Sequence, residues 1–136
     1  TFTPGIRTNF KVAPNISLRY RYSITNNIQG SRETKFITRV PSLEFDAFIV
    51  EKFTFKTNYS LTTQDQVDGE SESFQIWEAT LSYRKNKDAK WEYEFKGTNL
   101  LNVNSQVRNN ANNISVFNSV TFIQPRFLTF RVVYQL

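Results

Sequence analysis

Side chains alternate between apolar and polar along most of this chain, a period of two that suits a strand with one face out of water and suits no helix. In ISLRYRYSI, Ile16, Leu18, Tyr20, Tyr22 and Ile24 fall on one face, and Ser17, Arg19, Arg21 and Ser23 on the other. FTFKTNYSL sets Phe53, Phe55, Thr57, Tyr59 and Leu61 against Thr54, Lys56, Asn58 and Ser60. WEATLSY divides into Trp77, Ala79, Leu81 and Tyr83 against Glu78, Thr80 and Ser82, and WEYEF into Trp91, Tyr93 and Phe95 around Glu92 and Glu94. In LTFRVVYQL, Leu128, Phe130, Val132, Tyr134 and Leu136 oppose Thr129, Arg131, Val133 and Gln135. Across these segments Thr57 is the one polar member of the apolar face, and Val133 the one apolar member of the polar face. Two weaker segments bring the set to seven. GIRTNFKV puts Ile6, Phe10 and Val12 against Arg7, Asn9 and Lys11, while KFITRVPSLEFDAF is interrupted by Pro41. A proline lacks the N–H of one ladder bond, so a bulge or an edge-like irregularity is expected there, with its register open.

The connections alternate in length. Short turns at 13–15, 50–52 and 85–90 alternate with longer polar stretches at 26–34, 62–73 and 100–119. In an up-and-down meander the short turns then share one end and the long loops the other.

Composition narrows the function classes. The 136 residues include no Cys and no His, which removes disulfides, thiolate chemistry, the commonest general base and the commonest metal ligand. A net charge of +5 raises the question of nucleic acid. The longest unbroken apolar run, 47–50, is far too short for a transmembrane helix. With no Met at all and no signal-peptide pattern at the amino end, the chain is expected to be a processed product or a fragment.

A soluble barrel or sandwich would bury the apolar face; a membrane barrel would turn it to lipid and line its lumen with the polar one. Three details favour the membrane. The apolar face is bulky and aromatic where a small soluble barrel needs small residues to fit its taper. Tyr83, Trp91 and Tyr134 cluster by the short turns, and Tyr22, Tyr59 and Trp77 approach the long loops, as two interfacial girdles would, with Tyr20, Tyr93 and Phe130 on the same lipid-facing surface. One-sided loop length fits short periplasmic turns and long extracellular loops. Bacterial outer-membrane barrels have even strand counts, so seven strands predict the last part of a larger barrel, closed by strands upstream.

The segment WEYEFKGTNLLNVNS, followed by a polar insertion and FIQPRFLTFRVVYQL, resembles the carboxyl end of TonB-dependent outer-membrane receptors of the Bacteroidota type. The matching residues are Thr98, Asn99, Leu100, Leu101 and Asn102, then Pro125, Arg126 and the alternating set ending in Tyr134 and Leu136. The resemblance is best over 74–136; the earlier strands match in pattern only. Leu136 stands where that family usually ends on an aromatic residue. The resemblance implies a transmembrane β-barrel of about 22 strands, a plug domain, and energised nutrient uptake through contact with TonB. It implies an assembly signal in Phe130, Val132, Tyr134 and Leu136. The expected setting is the bacterial cell outer membrane, with lipid, the remaining strands and plug, and a surface lipoprotein or other outer-membrane subunits as partners.

Several residues invite chemistry. Arg19, Arg21, Lys56 and Arg131 would line the lumen and could receive an anion, but Glu78, Glu92 and Glu94 share their face, and a wall of paired charges that holds a plug or solvates the lumen is the simpler reading. Asp65, Asp68, Glu70 and Glu72 offer oxygen ligands without calcium-loop spacing, so a solvated loop is the simpler reading. RNNANN, 108–113, suits either a docking surface or a plain flexible loop. Asn15 and Asn113 match the glycosylation pattern, by accident if the setting is bacterial. Glu92 and Glu94 have no facing partner, and the chain is read as a non-enzyme without metal or cofactor. Two other functions remain open: a scaffold of the same fold that no longer transports, and a soluble basic barrel that stacks bases. The last conflicts with the segregation of aromatic and basic residues to opposite faces, which argues against nucleic acid.

Overall fold

Each alternating segment becomes a strand hydrogen-bonded to the one before it. The computed structural model describes residues 1–11, 14–29, 32–49, 52–66, 71–86, 88–111 and 116–135. The strands are β1 (Gly5–Arg7), β2 (Asn15–Gln29), β3 (Arg32–Ile49), β4 (Phe53–Gln66), β5 (Ser71–Arg84), β6 (Trp91–Thr98), β7 (Ser105–Ala111), β8 (Val116–Phe122) and β9 (Phe127–Tyr134). Seven of them form one open antiparallel sheet in the order β1-β2-β3-β4-β5-β6-β9, and β7 and β8 pair as a separate hairpin. Among the described residues there is no helix, and so none long and apolar enough to cross a membrane.

Four features differ from the expectation. The stretches 26–34 and 62–73, expected as loops, are mostly strand, because the β2–β3 ladder runs on to Gln29↔Arg32 and the β4–β5 ladder to Asp65↔Ser71. The segment 100–119, also expected as a loop, contains β7 and most of β8, where Asn109 pairs with Asn118 and Asn110 with Phe117. Asparagine-rich strands carry no apolar period, which hides them from a pattern reading. GIRTNFKV is strand only at Gly5–Arg7. Pairing reaches back to a bridge between Phe2 and Tyr22, and the hairpin end is closed by the Asn15 side chain, which accepts from the Phe10 N–H at 2.7 Å and donates to its carbonyl at 3.1 Å; Val12 lies outside the described residues. Finally, Pro41 makes no bulge. It faces Tyr20 in an unshifted β2–β3 ladder, and the β3–β4 register is the same at Arg39↔Thr63 as at Ser42↔Ser60. Of the two irregularities expected there, the edge-like one is found: the ladder lapses at Val40 and Pro41 on the β4 side, where a missing N–H removes a bond.

The sheet has almost no core. Phe36 and Ala47 are the buried apolar residues and Thr34 and Asn99 the buried polar ones among the described positions. β7 lies against β5 and β4.

Candidate functional site

Register decides which side chains meet, and here it sorts them into two faces. Ile16 pairs with Phe45, Phe45 with Thr57, Thr57 with Ala79, Ala79 with Gly97 and Gly97 with Leu128, so one row runs across six strands on the apolar face. Tyr20, Tyr22, Tyr59, Trp77, Tyr83, Trp91, Tyr93, Phe130, Val132 and Tyr134 share that face; Leu136 lies outside the described residues. Much of it is open: Trp77 is 40% exposed and Phe130 65%. Near the short turns its rings touch in sequence, Phe53 on Tyr83 with centroids 4.8 Å apart, Tyr83 to Tyr93 and Tyr93 to Phe130 at 6.3 Å each, and Trp91 on Tyr134 at 4.8 Å. Such tilted and offset pairs add cross-strand attraction beyond simple area burial. Thr57, the polar exception, is satisfied where it stands. Its hydroxyl accepts from Trp77 Nε1 at 2.8 Å and donates to the Glu78 carbonyl at 2.8 Å, so neither that hydroxyl nor the indole N–H is left unpaired.

The apolar surface is a band that crosses the strands obliquely. Its upper limit is Ile24 on β2, Leu61 on β4, Trp77 on β5 and Leu128 on β9, and Leu128 is level with Ile16, eight residues short of Ile24. The drop accumulates over the five strand spacings from β2 to β9. At the usual rise and spacing that is about 26 Å along the strands against about 24 Å across them, so the strands incline to the band at roughly 45°. The lower limit descends in the same sense, from Ile16 to Tyr134.

Above the band the faces exchange character on β3 and β5, with Ile28 and Ile37 left as apolar exceptions on the first face. The formerly apolar side carries Lys35, Arg39, Thr63, Asp65, Ser73 and Gln75, while the formerly polar side carries Phe36, Val40, Phe74 and Ile76. Arg39 is ion-paired with Asp65, which also accepts from the Ser71 hydroxyl at 2.5 Å. Asp65 and Glu72 therefore stand on opposite faces, and Asp68 and Glu70 lie outside the described residues. No group of three or more metal-ligating side chains gathers among the described residues.

The other face of the band holds the charges. Arg19, Arg21, Lys56, Glu78, Glu92, Glu94 and Arg131 all lie on it. Arg19 pairs with Glu44 at 3.2 Å, Arg131 with Glu94 at 3.0 Å, and Arg84 with Glu92. Lys56 and Glu78 line a shallow depression with Glu44, Asp46, Thr80 and Lys96, and make no ion pair with another described residue. Half-exposed pairs of this kind contribute about 1 kcal/mol or less each, so they shape the potential of the face more than its stability.

The element TNLLN has a structural duty that residue types alone did not disclose. Asn99, 4% exposed, donates from Nδ2 to the carbonyls of Val103 at 2.8 Å and Gln124 at 2.9 Å and accepts from the Val103 N–H at 2.9 Å. Asn102 Oδ1 accepts from the Arg126 N–H at 3.1 Å. Both asparagines have positive φ, 48° and 56°, which their type tolerates better than a bulkier residue would. Together they clasp the exit of β6 to the entry of β9, at the root of the β7–β8 hairpin. Gly97 sits beside the clasp because a Cβ there would come within 2.6 Å of the Leu100 side chain. Of the two glycosylation matches, the Asn15 amide is engaged by Phe10 and Asn113 lies outside the described residues.

Comparison with protein families, with curated proteins and with solved structures finds no match.

Proposed function

We propose that this sheet is part of the wall of a transmembrane β-barrel in a bacterial outer membrane, of the TonB-dependent receptor type, and that its polar face lines the path of an imported nutrient. The observation that carries the reading is the oblique apolar band. A strand in a membrane barrel is tilted by about 35–45° to the bilayer normal, so a level slab of lipid marks a sheet of such strands with a band that steps down from strand to strand. The inclination of roughly 45° obtained from register alone agrees with that tilt. Both outer edges of the sheet, on β1 and β9, expose unpaired backbone groups that lipid would penalise by several kcal/mol each, so the reading requires further strands on both sides. The charged face would then border an aqueous lumen, where salt bridges such as Arg131–Glu94 cost little to keep hydrated. The receptor type and the nutrient import rest on the resemblance at Thr98, Asn99, Leu100, Leu101, Asn102, Pro125 and Arg126.

The test uses the full-length protein. Its outer-membrane fractionation and heat-modifiable folding are compared for Leu81→Asp and Phe95→Asp on the band and for Thr80→Asp and Ser82→Asp on the opposite face. The reading expects the first two to block insertion and the second two to be tolerated; equal behaviour of the two sets would refute it. Loss of nutrient-dependent growth on deletion of the TonB-contacting segment would support import in particular.

A further inference from the structure

The turn 85–90 reads KNKDAK, three lysines and one acid, and it directly precedes Trp91. The turn before β4 is its neighbour, since the Arg84 N–H donates to the Lys52 carbonyl at 2.8 Å. Lys52, Lys85 and Lys90 are exposed, and none of them has a carboxylate partner among the described residues. On the sheet Arg19, Arg84 and Arg131 are paired, while Arg21, Lys56 and Lys96 are without an ion-pair partner among the described residues. Lys11, in the turn between β1 and β2, is also exposed and unpaired among the described residues. The basic turns lie just beyond the row of rings that ends the band. The Lys90 carbonyl accepts from the Gln135 N–H at 2.8 Å, and the Lys90 ammonium lies 5.8 Å from the centre of the Tyr134 ring, which packs on Trp91. At the opposite end of the strands the described charges are mixed, with Arg39 bound to Asp65 and with Glu33, Lys35 and Glu72 nearby in the ladders.

We propose that the short-turn end is a docking surface for the phosphodiester headgroups of anionic phospholipid, with the ammoniums of Lys52, Lys85 and Lys90 as its contacts and Trp91 and Tyr134 fixing their depth. The proposal rests on the membrane-barrel reading and adds a lipid class to it. Tyrosine and tryptophan settle at the headgroup level, which brings lysines one or two residues away to the phosphates. An ammonium is a compact point charge suited to a mobile phosphate, and each basic residue held near an anionic surface strengthens attachment by about fivefold at physiological salt. Arginines locked to glutamates on the polar face have no such freedom.

The experiment reconstitutes the full-length protein in nanodiscs of equal parts phosphatidylglycerol and phosphatidylcholine, and native mass spectrometry counts the lipids retained on release. The expected result is several-fold enrichment of phosphatidylglycerol, lost in the triple variant K52Q/K85Q/K90Q, kept in K52R/K85R/K90R, and weakened at roughly 0.5 M salt, where screening acts over only a few ångströms. Equal retention of both lipids by a correctly inserted protein would overturn the docking surface and leave the barrel reading intact. Failure to insert into any bilayer would overturn both. Displacement of phosphatidylglycerol by inorganic phosphate alone would also refute it, since the site would then belong to a free anion.

Discussion

The lower and upper parts of β3 and β5 belong to the same strands, registers and hydrogen-bond ladders, yet they assign their side chains oppositely. Below, Leu43, Tyr59 and Trp77 make one face apolar while Glu44, Asn58 and Glu78 make the other polar. Above, Arg39, Thr63 and Ser73 occupy the first face, and Val40 and Phe74 the second. A one-residue slip of register would produce such an exchange, but no slip occurs: the pairing is constant on either side of Pro41. On the membrane-barrel reading, the difference lies in what surrounds each half. On that reading one stretch of sheet faces lipid on one side, and its continuation faces water on that same side.

Substitutions can break this contrast. The largest effect is expected for Leu81→Arg in the middle of the band, which should cost about 2–4 kcal/mol in lipid vesicles by urea titration, against under about 1 kcal/mol for Ser73→Arg on the same face above it. Asn99→Ala follows. It removes three hydrogen bonds at a buried clasp and strands the Val103 and Gln124 backbone groups, for a loss of about 2–3 kcal/mol in the same titration. Asn99→Gly keeps the positive φ but not the bonds, so it should lose nearly as much, and a small loss would assign the residue to backbone geometry alone. Thr57→Val should cost about 1 kcal/mol, because the Trp77 indole N–H loses its acceptor within the band; a blue-shifted Trp77 emission would report the change. Arg131→Gln should cost about 0.5 kcal/mol or less, since its pair with Glu94 is largely open on the arginine side.

Much of the lower half was legible in the sequence, because a strand with one apolar face writes its period directly into residues such as Phe53, Phe55, Tyr59 and Leu61. The upper half was not. Where Thr62, Thr63 and Gln64 are polar on both faces, or where Phe74 and Ile76 are apolar on the face opposite to Trp77, the alternation dissolves and a strand reads as a loop. The hairpin of β7 and β8 was hidden for a related reason, its Asn109–Asn118 rung having no apolar signal. The seven charged residues were recognisable as one set, but Glu44 became the partner of Arg19 only through the β2–β3 register, which Pro41 had left open. The obliquity of the band lies in no single segment. It emerges from the offsets between neighbours, which are a property of the pairing.

A change of medium along one strand would be seen in spin-label accessibility along β4. Single nitroxides at positions 53 to 66, in the full-length protein embedded in bilayers, would be read for collision with oxygen and with a water-soluble nickel complex. Oxygen contact is expected at Phe53, Phe55, Thr57, Tyr59 and Leu61, nickel contact at Thr54, Lys56, Asn58 and Ser60, and a switch to nickel contact at Thr63 and Asp65 on the formerly oxygen-exposed face. Nickel contact at Phe55 and Tyr59 equal to that at Thr63 and Asp65 would contradict it.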